Sequence, residues 1–133
     1  MDGGREELER VATHVVNAVF EVHCALGPGL LESSYEMALC QELNLRGVRF
    51  ERQKDLPVGY KGVLLDCGYR IDLLIEESIV IELKAVEHLL PVHEAQLISY
   101  LKHADKPLGF PINFNVALIK DGIRRRAHRL PTS

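Results

Sequence analysis

The sequence predicts an α/β domain in which a mixed β-sheet is flanked by α-helices. Three observations predict this class. Residues 5–46 carry apolar residues at helical spacing, residues 48–84 carry strand-like patterns, and a further helix and strand follow. This order, in which two helices precede neighbouring strands and a helix and a strand follow, is typical of a sheet covered by helices.

Two helices are predicted at the start of the chain and one near its end. The first runs from Arg5 to Leu26, where Gly27-Pro28-Gly29 stops the apolar stripe. The second runs from Glu32 to about Arg46 and ends at Gly47. The third is predicted from Val92 to about Ala104.

Strands are predicted between and after these helices. They span Val48 to Lys54, Leu56 to Tyr60, Leu64 to Ile75, Ser78 to Lys84, Leu108 to Phe114 and Ile123 to Leu130. Turns are predicted at Lys61-Gly62 and Glu76-Glu77. The nearly continuous apolar residues of Ile79–Leu83 indicate a central strand that is covered on both faces.

Composition limits the class of protein. A chain of 133 residues with 47% hydrophobic and 26% charged residues is typical of a single globular domain, predicted over residues 1–133. The formal net charge of −3 argues against a protein that coats nucleic acid, but it permits an enzyme with a local basic patch.

The sequence also predicts a compartment. No apolar run reaches the ~18 residues of a membrane span, and no secretory signal is evident. Cys24, Cys40 and Cys67 are far apart and form no Cys-x-x-Cys pair. We therefore expect reduced, mostly buried thiols in a cytoplasmic protein that has no membrane partner.

Ionisable residues interrupt two of the predicted strands. Asp72 lies in one strand, and Glu82 and Lys84 lie in the next, where alternation places them on one face with Leu83 on the other. A charge inside an apolar strand is costly unless it is paired or bound to a metal. A buried ion pair and a metal site both explain this pattern.

The register between these strands decides whether the carboxylates meet. A two-residue turn at Glu76-Glu77 would place Asp72 and Glu82 on opposite faces, whereas pairing Ile75 with Ile79 places them side by side. We predict the second register, or a bulge with the same effect. Adjacent carboxylates repel, and a hard cation such as Mg²⁺ or Mn²⁺ would relieve the repulsion.

The motifs of the chain resemble those of a known nuclease group. Asp72 followed by Glu82-Leu83-Lys84 is similar to the Asp…Glu-x-Lys signature of PD-(D/E)XK nucleases, although Ile71 stands where the group's name has Pro. Gly29–Tyr35 matches the motif that names the GxxExxY family within that superfamily. Gln96–Tyr100 resembles the Gln-x-x-x-Tyr helix motif of its exonuclease-like branches.

This resemblance covers about residues 11–125 and implies a restriction-endonuclease-like fold. It further implies a metal-dependent nuclease that hydrolyses phosphodiester bonds in DNA or RNA. Mg²⁺ or Mn²⁺ would be held by Asp72 and Glu82, with the Leu83 carbonyl and the Glu32 carboxylate as further ligands. Lys84 would activate the attacking water or stabilise charge on the phosphate. The implied catalytic set is Asp72, Glu82, Lys84, Glu32, Gln96 and Tyr100.

Helical geometry gives the third helix a polar stripe. At 100° per residue, one narrow arc holds His93, Gln96, Tyr100 and His103. Gln96 and Tyr100 would orient the lysine, the water or a phosphate, or would only cap the sheet. His93 is either a substrate contact or a structural histidine.

Other residues carry two readings as well. Glu32 is a metal ligand or a carboxylate favoured in the first turn of a helix, and Tyr35 is favoured as a core aromatic. The run Arg124-Arg125-Arg126, with His128 and Arg129, would bind phosphates or form a solvated terminal strand.

The function also keeps alternatives. One is a non-catalytic nuclease-fold module that binds nucleic acid or a protein partner, and another is a phosphodiesterase for a small nucleotide. The sequence leaves DNA versus RNA, endo- versus exonuclease action and oligomeric state open. A homodimer that spans a duplex is one expectation.

Overall fold

The computed structural model describes residues 3–132, which form three α-helices and seven β-strands. Helices α1, α2 and α3 span Gly3–Leu26, Glu32–Leu45 and Pro91–Ala104. The strands β1 to β7 span Phe50–Asp55, Val58–Tyr60, Val63–Leu65, Arg70–Ile75, Ile79–Lys84, Leu108–Asn113 and Arg126–Ala127. A short 3-10 helix lies at Ile119–Asp121.

The main sheet is mixed, with the strand order β1-β4-β5-β6-β7. Strand β5 pairs antiparallel with β4 and parallel with β6, and it is therefore the central strand, as the apolar run predicted. Strands β2 and β3 form a separate hairpin whose turn lies at Lys61 and Gly62, both at positive φ. The predicted α/β class, a mixed sheet flanked by helices, is confirmed.

Helices cover both faces of this sheet. Helices α1 and α2 pack on one face, where the buried apolar cluster includes Val15, Leu39, Ile81 and Leu83. Helix α3 packs on the other face, where Leu97 and Leu101 contact a cluster that includes Val80. Because side chains alternate along β5, Glu82 and Lys84 share the α3 face with Val80.

The predicted register between β4 and β5 is confirmed. Ile75 pairs with Ile79 and Leu73 pairs with Ile81. The three-residue connection that this register needs is made by Glu76, Glu77 and Ser78, in which both glutamates adopt positive φ. Extended by one residue beyond the last pair, Leu73 and Ile81, this register places Asp72 across from Glu82.

Two strand predictions were wrong in extent. The single long strand predicted over Leu64 to Ile75 is broken at residues 66–69, so its halves belong to the β2–β3 hairpin and to the main sheet. The break follows from Gly68, which adopts a φ of +77° that β-strands do not accept. The last strand, predicted over Ile123 to Leu130, is reduced to Arg126–Ala127 and an isolated bridge at Ile123.

The prediction of mostly buried cysteines was also wrong. Cys40 is buried, but Cys24 and Cys67 are exposed, because the first lies on the outer side of α1 and the second in the break before β4. All three thiols are free. In the part of the chain that the structure describes, no helix combines the length and the apolar character needed to cross a membrane.

Candidate active site

Asp72 and Glu82 are held by reciprocal hydrogen bonds where β4 and β5 separate. The backbone N–H of Asp72 donates to Glu82 Oε2 at 2.9 Å, and the backbone N–H of Leu83 donates to Asp72 Oδ2 at 2.8 Å. Beyond the Leu73–Ile81 pair, each carboxylate therefore accepts a hydrogen bond from a backbone N–H of the opposite strand. This arrangement fixes both carboxylates side by side.

Burial makes this carboxylate pair electrostatically costly. Desolvation, assisted by the charge of Asp72, raises the pKa of Glu82 to about 8. Desolvation also raises the pKa of Asp72, with a further contribution from the charge of Glu36, against the hydrogen bond from Leu83. A cation between the two groups would oppose both shifts, because a nearby positive charge favours the ionised form of each carboxylate.

Lys84 connects the carboxylate pair to α3. Its Nζ lies 3.4 Å from Gln96 Oε1, and Gln96 Nε2 donates to the Tyr100 hydroxyl at 3.0 Å. Among the described residues Lys84 makes no ion pair within 4.0 Å, which counts against a simple buried ion pair with Asp72 or Glu82. The ammonium group is therefore oriented by a neutral amide.

The two histidines of the predicted polar stripe have different surroundings. His93 Nδ1 accepts a hydrogen bond from the backbone N–H of Leu90 at 2.9 Å, which closes the first turn of α3. This contact fits the structural reading of His93. His103 is exposed one turn beyond Tyr100.

Glu32 lies at the start of α2, near the end of β5. Its Oε2 is 3.3 Å from the backbone N of Ala85, the residue that follows Lys84. In residues 3–132, however, no three His, Cys, Asp or Glu side chains are placed so that they could hold one metal ion together. The structure thus brings Asp72 and Glu82 together and leaves Glu32 at the edge of the pair.

Tyr35 fixes the loop from which Glu32 begins. Its hydroxyl donates to the Gly27 carbonyl and accepts from the Leu30 backbone N–H, while its ring stacks on Phe114 at a centroid distance of 4.4 Å. The side chain is fully buried. Tyr35 is accordingly a core aromatic that ties the α1–α2 loop to the sheet.

A second set of polar side chains, which sequence reasoning missed, supports Asp72. Gln53 Nε2 donates to Glu36 Oε1 at 2.9 Å and lies 3.4 Å from Asp72 Oδ1. Arg52 forms an ion pair with the buried Glu36 at 2.8 Å. The available signal was the spacing of Glu36, four residues after Glu32, which places both carboxylates on one face of α2.

Gln53 also has an unusual backbone conformation. It lies in β1 between the pairs Arg52–Leu73 and Lys54–Ile71, directly across from Asp72, with a φ of +50°. Left-handed backbone at a non-glycine residue costs about 1–3 kcal/mol and persists where the surroundings impose it.

Asn113 holds the loop that follows Lys84. Its Nδ2 donates to the Val86 carbonyl at 2.9 Å, and its Oδ1 accepts from the backbone N–H groups of Val86 and Asn115. Asn113 is almost completely buried. Asn113 lies in a stretch, Ile112 to Asn115, that resembles the nuclease family, but the clamp itself depends on tertiary contacts that no local spacing predicts.

The arginine run near the end of the chain is engaged within the molecule. Arg125 pairs with Glu9 of α1, and Arg126 pairs with Glu94 of α3. Arg124 donates to the backbone carbonyl of Asp121. These contacts fit a structural role of the run better than the phosphate site considered from sequence.

The carboxylate pair fits a hard divalent cation. Mg²⁺ prefers oxygen ligands and commonly uses one or two carboxylates while keeping several waters. Glu82 Oε1 accepts no hydrogen bond from the described residues, and none of their fully buried side-chain oxygens lacks a partner, so this atom is not completely buried. Asp72 and Glu82 thus offer carboxylate oxygen atoms side by side, with Asp72 half-buried and Glu82 buried.

Comparison with known proteins agrees with this geometry. The family model of the PD-(D/E)XK nuclease superfamily matches residues 9–126. No curated protein and no solved structure matches the chain.

The mixed sheet, with an Asp and a Glu-x-Lys on neighbouring strands, defines a nuclease-type α/β domain. The chain belongs to the PD-(D/E)XK nuclease superfamily.

Proposed function

We propose that this chain is a metal-dependent nuclease that hydrolyses phosphodiester bonds in DNA or RNA. The observation that carries the proposal is the continuity of the site. The reciprocally bonded Asp72–Glu82 pair lies beside Lys84, and Lys84 is joined through Gln96 to Tyr100. Superfamily membership supports a nucleic acid as the substrate.

The position of each side chain in the site suggests a separate role for it. Asp72 and Glu82 would hold Mg²⁺ or Mn²⁺, which would supply an activated water and offset charge on the phosphate. Lys84 places a cation next to the carboxylate pair without being neutralised by an ion pair. Gln96 limits the rotation of Lys84, because its Oε1 accepts from the ammonium while its Nε2 is held by Tyr100.

Several finer assignments belong to this proposal. Glu32 and the Leu83 carbonyl are proposed as additional metal contacts, and the GxxExxY family is proposed as the branch of the superfamily. Three free thiols suit a reducing compartment, so we propose the cytoplasm. We also propose that residues 1–133 form a single domain. The homodimer stays a prediction that the oligomeric state in solution will test.

The direct experiment is a cleavage assay on labelled single- and double-stranded DNA and RNA, with Mg²⁺, Mn²⁺ or EDTA. Wild type is compared with Lys84→Ala and with Lys120→Ala, an exposed lysine outside the site. We expect metal-dependent cleavage by wild type and Lys120→Ala, and its loss in Lys84→Ala.

Each other result points elsewhere. Metal binding without cleavage of any polymer, together with hydrolysis of a cyclic nucleotide or a dinucleotide, would favour the small-nucleotide phosphodiesterase. Tight nucleic-acid binding with neither cleavage nor metal binding would favour a non-catalytic module. Equal cleavage by Lys84→Ala and wild type would contradict the proposed site.

A further inference from the structure

A cavity of about 370 Å³ opens beside the candidate active site. It lies between the break that precedes β4, the start of β2 and helix α3. Its polar and aromatic lining comes from Tyr69, Gln96, Ser99, Tyr100 and His103. The cavity was not anticipated from the sequence, because residues 66–69 were predicted to lie within a strand.

This cavity shares side chains with the proposed catalytic site. Gln96 and Tyr100 line it, and Gln96 Oε1 lies 3.4 Å from Lys84 Nζ. A molecule in the cavity is therefore separated from the lysine by a single side chain. Gln96 is thus the contact that joins the cavity to the candidate active site.

Tyr69 gives the cavity an exposed aromatic surface. Its ring meets the ring of Tyr100 edge-on, with a centroid distance of 6.1 Å and an interplanar angle of 63°. Tyr100 is 7% exposed, whereas Tyr69 is 46% exposed. The buried tyrosine thus contacts one side of Tyr69, and the exposed part of the Tyr69 ring is available for stacking.

We infer that this cavity binds one unpaired nucleobase of the substrate, stacked on Tyr69, beside the phosphate that Lys84 contacts. The inference rests on the proposed function. Every base has a π face for the tyrosine and polar edges for hydroxyl, amide and imidazole groups such as those of Ser99, Gln96 and His103.

The size of the cavity selects the substrate class. Its volume lies near the lower end of the range for small-molecule sites, which suits a single nucleoside. A base must leave its duplex to enter such a site, at a cost of unpairing and unstacking. The protein should therefore prefer single-stranded nucleic acid, or the frayed ends and loops of a duplex.

The test measures binding without metal, so that it is independent of cleavage. A short fluorescent single strand is titrated in EDTA against wild type, Tyr69→Leu, Tyr69→Phe and Tyr60→Leu. Tyr60 is the matched control, because it is 59% exposed on β2 and does not line the cavity. We expect about tenfold weaker binding for Tyr69→Leu and near wild-type binding for the other two.

An abasic scan then asks whether Tyr69 contacts a base. One base is removed at successive positions of the strand. In wild type, removal at one position should weaken binding about tenfold, and in Tyr69→Leu the same removal should cost little more. Equal losses in both proteins, or unchanged binding by Tyr69→Leu, would overturn the base site.

Two further results separate this inference from the proposed function. If binding depends on Tyr69 but no cleavage occurs in Mn²⁺, the base site stands and the proposed nuclease activity is wrong. If cleavage occurs but binding does not depend on Tyr69, the nuclease activity stands and the base site is wrong. A nucleoside 5′-monophosphate is titrated as competitor. If it binds as tightly as the strand, the cavity takes free nucleotides and the single-strand preference is wrong.

Discussion

At the scale of single residues, the site depends on carboxylates that are positioned by neutral donors. Asp72 receives the Leu83 N–H on one oxygen and faces the Gln53 amide on the other. Glu82 receives the Asp72 N–H. Neutral donors hold the geometry while leaving the negative charge of the pair available to a cation.

Gln53 tests this arrangement of neutral donors. We predict that Gln53→Met, which removes the amide but keeps the length of the side chain, lowers cleavage by about tenfold or more, because the Asp72 carboxylate loses its orienting partner. The control is Gln41→Met, at an exposed position of α2. Cleavage rates and Mn²⁺ affinity are measured for both, and a Gln53→Met protein with wild-type values would refute the role.

The raised pKa of Glu82 predicts a dependence of stability on pH in metal-free protein. Folding moves this pKa from 4.5 to about 8, so the folded state keeps a proton that the unfolded state has lost. The stabilisation is complete below pH 4.5 and is lost as the pH rises through 8, by up to about 1.4 kcal/mol per pH unit. The decline should be steepest between these two values.

Urea denaturation in EDTA at several pH values measures this loss of unfolding free energy. Glu82→Gln removes the titrating group, so its unfolding free energy should fall less across the same window. Identical slopes for wild type and Glu82→Gln would show that another group causes the dependence.

Sequence spacing identified some residues of the candidate site and could not identify others. Asp72, Glu82 and Lys84 stood out because charges are expensive inside apolar strands. Glu36 and Gln53 lay in a helix and in a largely exposed strand, where polar residues are ordinary. Their roles depend on tertiary contacts between α2, β1 and β4, which local patterns do not contain.

At the scale of elements, the position of α3 determines where Gln96 and Tyr100 lie. The helix approaches the sheet closely above Gly109 of β6. A Cβ at that position would lie 3.0 Å from Leu101 Cδ2, 3.0 Å from the Val80 carbonyl oxygen and 3.1 Å from Leu97 Cδ1. Both leucines are fully buried, and the oxygen belongs to the central strand.

Gly109→Ala should therefore destabilise the protein by about 1–3 kcal/mol through overpacking. It should also weaken cleavage, because Leu97 and Leu101 of α3 must yield to the new Cβ and Gln96 lies on the same helix. Gly59→Ala is the control, since its nearest contact would be Leu64 Cδ2 at 4.0 Å. Thermal or urea unfolding measures the difference, and equal stability of the two variants would contradict the close approach.

Element prediction succeeded where hydrophobic patterns were strong and failed where turn residues decided. The three helices and the central strand follow from periodic or continuous apolar residues. The strand predicted over Leu64 to Ile75 ignored Asp66 and Gly68, residue types that favour turns. That break releases Tyr69 from the sheet and allows it to line the cavity.

At the scale of the whole molecule, the candidate site lies where β4 and β5 separate, between α3 on one face of the sheet and the start of α2 on the other. Helices α1 and α2 bury the larger apolar cluster on one side of β5, and α3 shares the other side with Glu82 and Lys84. The substrate would approach the edge where β4 and β5 separate. Because the net charge of the chain is negative, its overall electrostatic field would not attract nucleic acid. The attraction would have to come from local positive groups such as Lys84.

The most direct test of the central claim is a calorimetric titration of the metal-free protein with Mn²⁺. Wild type is compared with Asp72→Asn and with Asp121→Asn, an exposed aspartate outside the site. We predict saturable binding by wild type and Asp121→Asn, weakened about tenfold or more in Asp72→Asn. Absent binding by wild type, or equal binding by all three proteins, would contradict a metal centre at the Asp72–Glu82 pair.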